Sequence, residues 1–350
     1  LFDDLRFDDA CHCAESRAVA AEIIRMRLNT FFILLAIASL VLSGCQASSK
    51  LASKSLSQSI AEKKVSAPES VKVEPFENPD GITAEQIVTR YNERNTGSPG
   101  WRRVTMQLVT DGNVTRDFSL INLWRSEKGE MRALFLLEVP KGLAGTGYLL
   151  REDARLPLQM AIDLYIPADE RRVLQLAGSN FGEGLLGSDF SYHDMRMRLS
   201  SDGFDYELVG QSKLLGQAVW VVDAKPLTAA AQQTCACVGA RYFLARDFAF
   251  LMGVDYYKQA NETDSQPLAA KQMRVESFAQ VDGIWTATRM TMFSSDNRQT
   301  TLTLQDAHFS VAGIDPELFL QRSLSLLGDA VQRGWTPDQK MVSLSKRSEN

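Results

Sequence analysis

The sequence predicts a mainly β protein built on an antiparallel sheet, sandwich or barrel. Two observations carry this. Beyond about residue 100, apolar residues recur at every second position in short runs, the period of a strand with one buried face. The runs are bounded by Gly, Asp, Asn or Pro rather than by long helical segments, which argues against a doubly wound α/β fold.

The N-terminal segment reads as an address. Residues Arg25-Met26-Arg27 precede an apolar run from Phe31 to Leu42, which ends in Leu42-Ser43-Gly44-Cys45. A basic start, a short apolar stretch and small residues before a cut describe a secretory signal peptide over 26–44. The apolar run is short for a membrane span. Its last four residues resemble a bacterial lipobox; the alternative is a plain signal peptide with an incidental cysteine. The resemblance implies cleavage between Gly44 and Cys45 and lipidation of Cys45. Each buried CH₂ is worth about 0.8 kcal/mol, so several acyl chains anchor firmly. Gln46 follows the anchor, and an Asp there is the enteric signal for inner-membrane retention, so the expected address is the periplasmic face of the outer membrane of a Gram-negative bacterium. Residues 1–25 carry Asp3, Asp4, Asp8 and Asp9, the wrong sign for a signal peptide, and read as translated upstream sequence with Met26 as the better start. Cys11-His12-Cys13 cannot close a tetrahedral metal site alone.

From 45 to 80 the chain is rich in Ser, Lys, Ala and Glu, with Pro68, Pro75 and Pro79, and reads as a flexible tether. A domain over 81–328 follows. Thr83-Ala84-Glu85-Gln86 predicts a capping box and a short helix through Tyr91, with Ile87 and Tyr91 on one stripe. Alternation then predicts strands at 104–109, 118–124, 131–137, 148–151, 158–166, 171–176, 206–209, 218–224, 241–244, 248–257, 272–281, 284–293 and 300–304. Asp111-Gly112-Asn113 and Lys128-Gly129-Glu130 are the first two turns. Residues 316–327 read as a final helix, and 329–350 as a polar tail.

Composition narrows the function. Lys and Arg number 38 against 43 Asp and Glu, a net charge of −5, so no nucleic-acid partner is expected. Three histidines and five cysteines argue against a His-rich metal site and a disulfide scaffold. Gly182-Glu183-Gly184-Leu185-Leu186-Gly187 fits a dinucleotide-loop pattern but runs into Ser188-Asp189-Phe190, not a helix. No hydrolase, metalloprotease or phosphate-loop motif occurs. Cys235 and Cys237 read as a loop disulfide or two free thiols, and His193 and His308 as hydrogen-bonded or exposed histidines. No enzyme activity, metal or cofactor is expected.

The body resembles the LolA-like family of outer-membrane lipoprotein-sorting proteins. Leu164-Tyr165-Ile166-Pro167 with Arg171-Arg172-Val173 precedes Gly187-Ser188-Asp189-Phe190-Ser191-Tyr192, similar to the family's "YLP…RRV…GSDFSY" signature. Val139-Pro140 with Gly145-Thr146-Gly147-Tyr148-Leu149, and Asp282-Gly283-Ile284-Trp285 with Arg289-Met290-Thr291-Met292, are similar to two further elements. His193 replaces the usual acidic residue, Thr286-Ala287 replaces a proline segment, and the Cys235/Cys237 pair has no counterpart. The resemblance implies an unclosed antiparallel β half-barrel wrapped around helices, LolA/LolB-like, with an apolar cavity for acyl chains. Alternation nominates Met106, Phe135, Leu164, Phe250, Met252, Met290 and Met292 for its wall, with Arg289 and Thr291 facing away. Asp189 is expected to fix its loop by accepting backbone N–H bonds, with Phe190 and Tyr192 closing the barrel end. The function expected is binding of lipid or lipoprotein acyl chains for sorting or transport. The alternative is a periplasmic sensor or exporter accessory on the same fold, with a membrane-protein partner.

Overall fold

The computed structural model describes residues 68, 70–76, 78, 81–153, 155–168, 172–258 and 269–337. All lie in one compact unit, Glu62–Asn350. The signal segment with Gly44 and Cys45, most of the tether and the end of the tail lie outside the described residues.

Each strand run read from alternation contains a strand, although 158–159 belong to a 3-10 turn and 248–250 to a loop, so those two strands start later. The strands are β1 (Gly100–Thr110), β2 (Asn113–Glu127), β3 (Glu130–Val139), β4 (Gly147–Glu152), β5 (Met160–Tyr165), β6 (Val173–Gln175), β7 (Phe204–Leu214), β8 (Gln217–Pro226), β9 (Gly239–Ala245), β10 (Leu251–Tyr257), β11 (Ala269–Val281), β12 (Ile284–Ser294) and β13 (Arg298–His308). They form one antiparallel sheet in the order β6-β5-β4-β3-β2-β1-β13-β12-β11-β10-β9-β8-β7. Two meanders thus stand back to back, joined where β1 pairs with β13. The terminal strands β6 and β7 do not pair, so the half-barrel is unclosed.

The hairpin turns explain the register. Asp111-Gly112, Lys128-Gly129, Leu215-Gly216 and Asp282-Gly283 each place two successive residues at positive φ, between 50° and 84°. That is the backbone of a two-residue turn whose twist matches the flanking strands.

Among the described residues the α-helices are α1 (Ala84–Glu93), α2 (Ala229–Cys235) and α3 (Gln321–Gln332). The capping box of α1 is present: the Gln86 amide N–H donates to Thr83 Oγ1 at 3.2 Å, and the Thr83 N–H to Gln86 Oε1 at 2.9 Å. The final helix differs from its sequence reading. Residues Pro316–Phe319 form a 3-10 turn, and α3 starts at Gln321 and runs to Gln332, with Val331 buried. Packed chain therefore extends past 328, into what reads as a polar tail. It also starts before 81. Glu74 bridges to Gln211 on the β7 edge through two backbone bonds of 2.9 and 3.0 Å, and Phe76 packs edge-on against Trp220 at 4.6 Å. Covering this edge shields unpaired strand groups.

Both faces of the sheet are covered. On the convex face, α3 packs Leu324, Leu327 and Val331 against Ile121, Leu134, Leu136 and Leu149. Gly328 lets the helix approach: a side chain there would run into the Gly145 carbonyl and the Tyr165 ring. A second convex cluster holds Val219, Val221, Phe243 and Met252, with Val71 and Val73 packed against it. The concave face is covered by α1, α2 and the irregular segment 176–203. That segment connects β6 to β7, the two free edges, and therefore crosses the mouth of the half-barrel.

Candidate functional site

Between the concave face, α1 and segment 176–203 lies a mainly apolar cavity of about 250 Å³. Residues from both concave-face clusters reach it. The two meanders supply opposite walls because each strand turns alternate residues inward. Met106 on β1 faces Leu302 on β13, and Leu302 faces Met290 on β12, so one register row crosses the seam between the meanders. Met106, Phe135, Phe250, Met290 and Met292 all line the cavity. Met292 is fully buried while Met290 is half-buried.

Two nominated residues do not line it. Leu164 belongs to the concave cluster with Phe181 and Leu185, where the crossing segment packs over the β5 end. Met252 lies on the convex face with Phe243 and Val221. Its misplacement has a local cause: the pairing of β10 with β9 slips between Leu251 and Gly253, and such an irregularity shifts the alternation by one. Leu251 and Val254 face the cavity instead.

The segment Gly187–Tyr192 is bolted to the sheet by buried polar groups. Asp189 is held by side chains, not by the backbone N–H groups expected of a turn Asp. Thr300 Oγ1 donates to Oδ2 at 2.8 Å, Ser294 Oγ donates to Oδ1 at 2.7 Å, and the Arg298 guanidinium lies 3.2 Å away. The Asp189 N–H in turn donates to Thr300 Oγ1 at 2.9 Å. Ser188 donates to the Phe190 carbonyl at 3.1 Å, and the Ser191 N–H and Oγ both donate to Asp194 Oδ2 at 2.7 Å. Gly187 sits at φ 76°, and a side chain on Gly184 would run into the Ser188 carbonyl. The glycines that mimic a dinucleotide loop thus serve loop closure. Phe190 reaches the cavity wall; Tyr192 packs on Tyr148 at 5.7 Å instead.

Asp194 is a second bolt. Lys271 Nζ on β11 lies 2.6 Å from Oδ2, and the Tyr256 hydroxyl on β10 donates to Oδ1 at 2.5 Å. Burial pushes the Asp194 carboxyl up, but Lys271 and its hydrogen bonds outweigh that and hold it below the usual carboxylate range.

His193 lines the cavity as a neutral, buried imidazole. Its backbone N–H donates to the Phe181 carbonyl at 2.8 Å, while Nδ1 has no partner among the described residues. Burial, then the neighbouring Arg196, lower its pKa from 6.5 to about 3. Between these values the unfolded chain binds a proton that the folded chain refuses. Stability is therefore full above pH 6.5 and falls by about 1.4 kcal/mol per unit as pH drops below it. His193→Gln is expected to remove about 2 kcal/mol of the stability lost between pH 7 and pH 5. Urea unfolding at the two pH values measures this, and equal losses in both proteins refute it.

Sequence reasoning passed over the cationic end of the cavity. Arg94, Arg102, Arg196 and Arg198 line it. Arg94 donates to the carbonyls of Tyr91 at 2.6 Å and Met197 at 3.0 Å, and stacks on the Tyr91 ring. Arg196 Nε stands 3.8 Å from Glu152 Oε2, an ion pair without a hydrogen bond, and burial pushes the Glu152 carboxyl up. Burial and then Arg94 lower Arg102 to about 10. The inward row Val104, Met106, Leu108, extended one step back, is the signal that reaches Arg102.

Cys235 and Cys237 form a disulfide at the end of α2. His308 is exposed and stacks on Trp101 at 4.6 Å.

An unclosed antiparallel half-barrel around an apolar cavity is a LolA-like fold. A family profile described as "Uncharacterized protein" matches residues 129–325, more than half of the chain, and the chain belongs to that family. Three solved structures share the fold. A DUF1329 family protein from Desulfovibrio piger is 21% identical, with a TM-score of 0.59 over 69% of this chain and 97% of its own. An outer membrane lipoprotein-sorting protein domain from Vibrio parahaemolyticus is 19% identical, with a TM-score of 0.59 over 69% and 96%. A LolA superfamily protein from Nitrosomonas europaea is 12% identical, with a TM-score of 0.50 over 69% and 98%. No curated relative matches the chain.

Proposed function

We propose that this protein is a periplasmic lipid carrier that buries one acyl chain at a time, of a lipid or of a lipoprotein, in the cavity of the half-barrel. The observation that carries this reading is the cavity itself. Its volume of about 250 Å³ exceeds the ~150 Å³ that accommodates benzene in a dry protein interior. Met106, Met290 and Met292 give it a wall that adapts to an irregular flexible chain. The bound chain gains free energy by leaving water and needs no catalytic group. The lipoprotein-sorting description of the Vibrio structure agrees with this reading. The lipobox-like Leu42-Ser43-Gly44-Cys45 supports attachment through Cys45 to the outer membrane, with residues 46 to about 70 as the tether.

Native mass spectrometry of the gently purified chain tests the proposal. A carrier is expected to show added masses of lipid that disappear on organic extraction. A clean unliganded mass, together with a co-purifying protein partner, refutes the carrier and favours a sensor or exporter accessory.

A further inference from the structure

Arg102 sits on the concave side of β1, in the inward row of Val104 and Met106. Its Nε donates to Asn122 Oδ1 at 2.9 Å. Asn122 is itself buried and fixed, its Nδ2 donating to the carbonyls of Leu134 at 3.2 Å and Leu123 at 3.3 Å. One edge of the guanidinium fork is therefore held and aimed, with the Trp124 ring 5.5 Å away. The two Nη groups make no hydrogen bond and face no carboxylate among the described residues. The other cations nearby are engaged: Arg94 and Arg198 with backbone carbonyls, Arg196 with Glu152, Lys271 with Asp194. Among the described residues Asp194 is the one acidic residue of the cavity wall, and Lys271 already faces it. This end of a mainly apolar cavity thus carries excess positive charge and one aimed fork. A desolvated charge without a counter-ion is costly, and a planar fork matches two oxygens of a carboxylate or phosphate.

We propose that Arg102 is the head-group anchor of the cavity, binding the anionic carboxylate or phosphate head of a single-chain amphiphile whose tail lies against Met106 and Met290. This rests on the acyl-chain reading above and adds the chemistry of the head. Arg102 and Met106 are four residues apart, roughly 13 Å along the strand, so head and tail occupy opposite ends of one site.

The test uses the purified full chain and displacement of an apolar fluorescent probe by amphiphiles with the same tail: palmitate, hexadecyl phosphate and hexadecanol. Inorganic phosphate is the tail-less control. Charge-assisted bidentate bonds predict that one or both anions displace the probe ten- to a hundredfold more tightly than the alcohol. Whether palmitate or hexadecyl phosphate leads identifies the head. Inorganic phosphate alone is expected to displace nothing. In Arg102→Gln the preference for the anions is expected to collapse to about onefold. Arg102→Met, which fills the same space in an apolar wall, serves if the Gln variant does not fold, with the same expected collapse. Equal binding of all three amphiphiles by the unmodified protein overturns the anchor while leaving the acyl cavity standing. So does an anion preference that survives both variants. Failure of every amphiphile to displace the probe overturns the acyl-chain reading and the anchor with it.

Discussion

Lys271→Met is expected to destabilise the fold by about 3–5 kcal/mol, because it leaves the Asp194 carboxylate buried without its cation. The side chains of Lys271 and Asp194 are 18% and 6% exposed, so water does not replace the lost partner. What remains to Asp194 is the Ser191 N–H and hydroxyl and the Tyr256 hydroxyl. The same carboxylate bolts segment 188–195 to β10 and β11, so the damage is local as well as energetic: Phe190 and His193 hang from this segment over the cavity. Combining Lys271→Met with Asp194→Asn removes both charges and keeps an amide that bonds to Ser191, and most of the loss is expected to return. Urea unfolding of the two single variants and the double variant gives the coupling directly. A coupling near zero means the segment is held by packing alone, and the bolt reading falls.

Strand positions were legible because burial on both faces of this sheet still leaves the concave rows apolar, and a row of apolar residues has a period that counting detects. The turns were legible for a different reason: Asp111-Gly112 and Lys128-Gly129 carry a backbone requirement in the residues themselves. The capping box of α1 belongs to the same class of purely local signals. Helix α2 escaped because Ala229-Ala-Ala-Gln-Gln-Thr-Cys235 has no apolar stripe; Thr228, whose hydroxyl accepts the Ala231 N–H at 3.1 Å, was its one sign. Met252 was misplaced because a slip in β-pairing is a property of two strands at once and leaves no mark in either alone. The packed stretch 71–76 escaped because Val71, Val73 and Phe76 are too few and too isolated to show a period, and the Glu74 bonds to the β7 edge are backbone bonds that composition does not encode. The arginine end of the cavity escaped because hydropathy alternation assigns charged residues outward. Arg102 points inward because the pleat, not the polarity, decides direction. Its tolerance there depends on Asn122, inward on β2, a pairing visible only once the strands are in register.

Met290→Asp is expected to weaken binding of an acyl probe at least a hundredfold, about 3 kcal/mol, while the fold survives. Met290 stands on the cavity wall half-exposed to its interior, so a carboxylate there remains partly hydrated in the empty protein and is desolvated only when a chain enters. The cost therefore falls on the complex rather than on folding. Met292 points the same way, but it is fully buried, so an Asp there taxes the folded state itself and its effect on binding is confounded. The outward control is Arg289→Ala, whose side chain is exposed and pairs with Glu276 at 2.6 Å, an exposed ion pair of small worth. Thr291 is not a neutral control although it also faces away: it is 1% exposed and shares a hydrogen bond of 2.9 Å with Thr301, so Thr291→Ala leaves a buried hydroxyl unpaired. Probe fluorescence titration, with circular dichroism to show retained structure, separates the two faces. Undiminished binding by a folded Met290→Asp protein moves the acyl site out of this cavity.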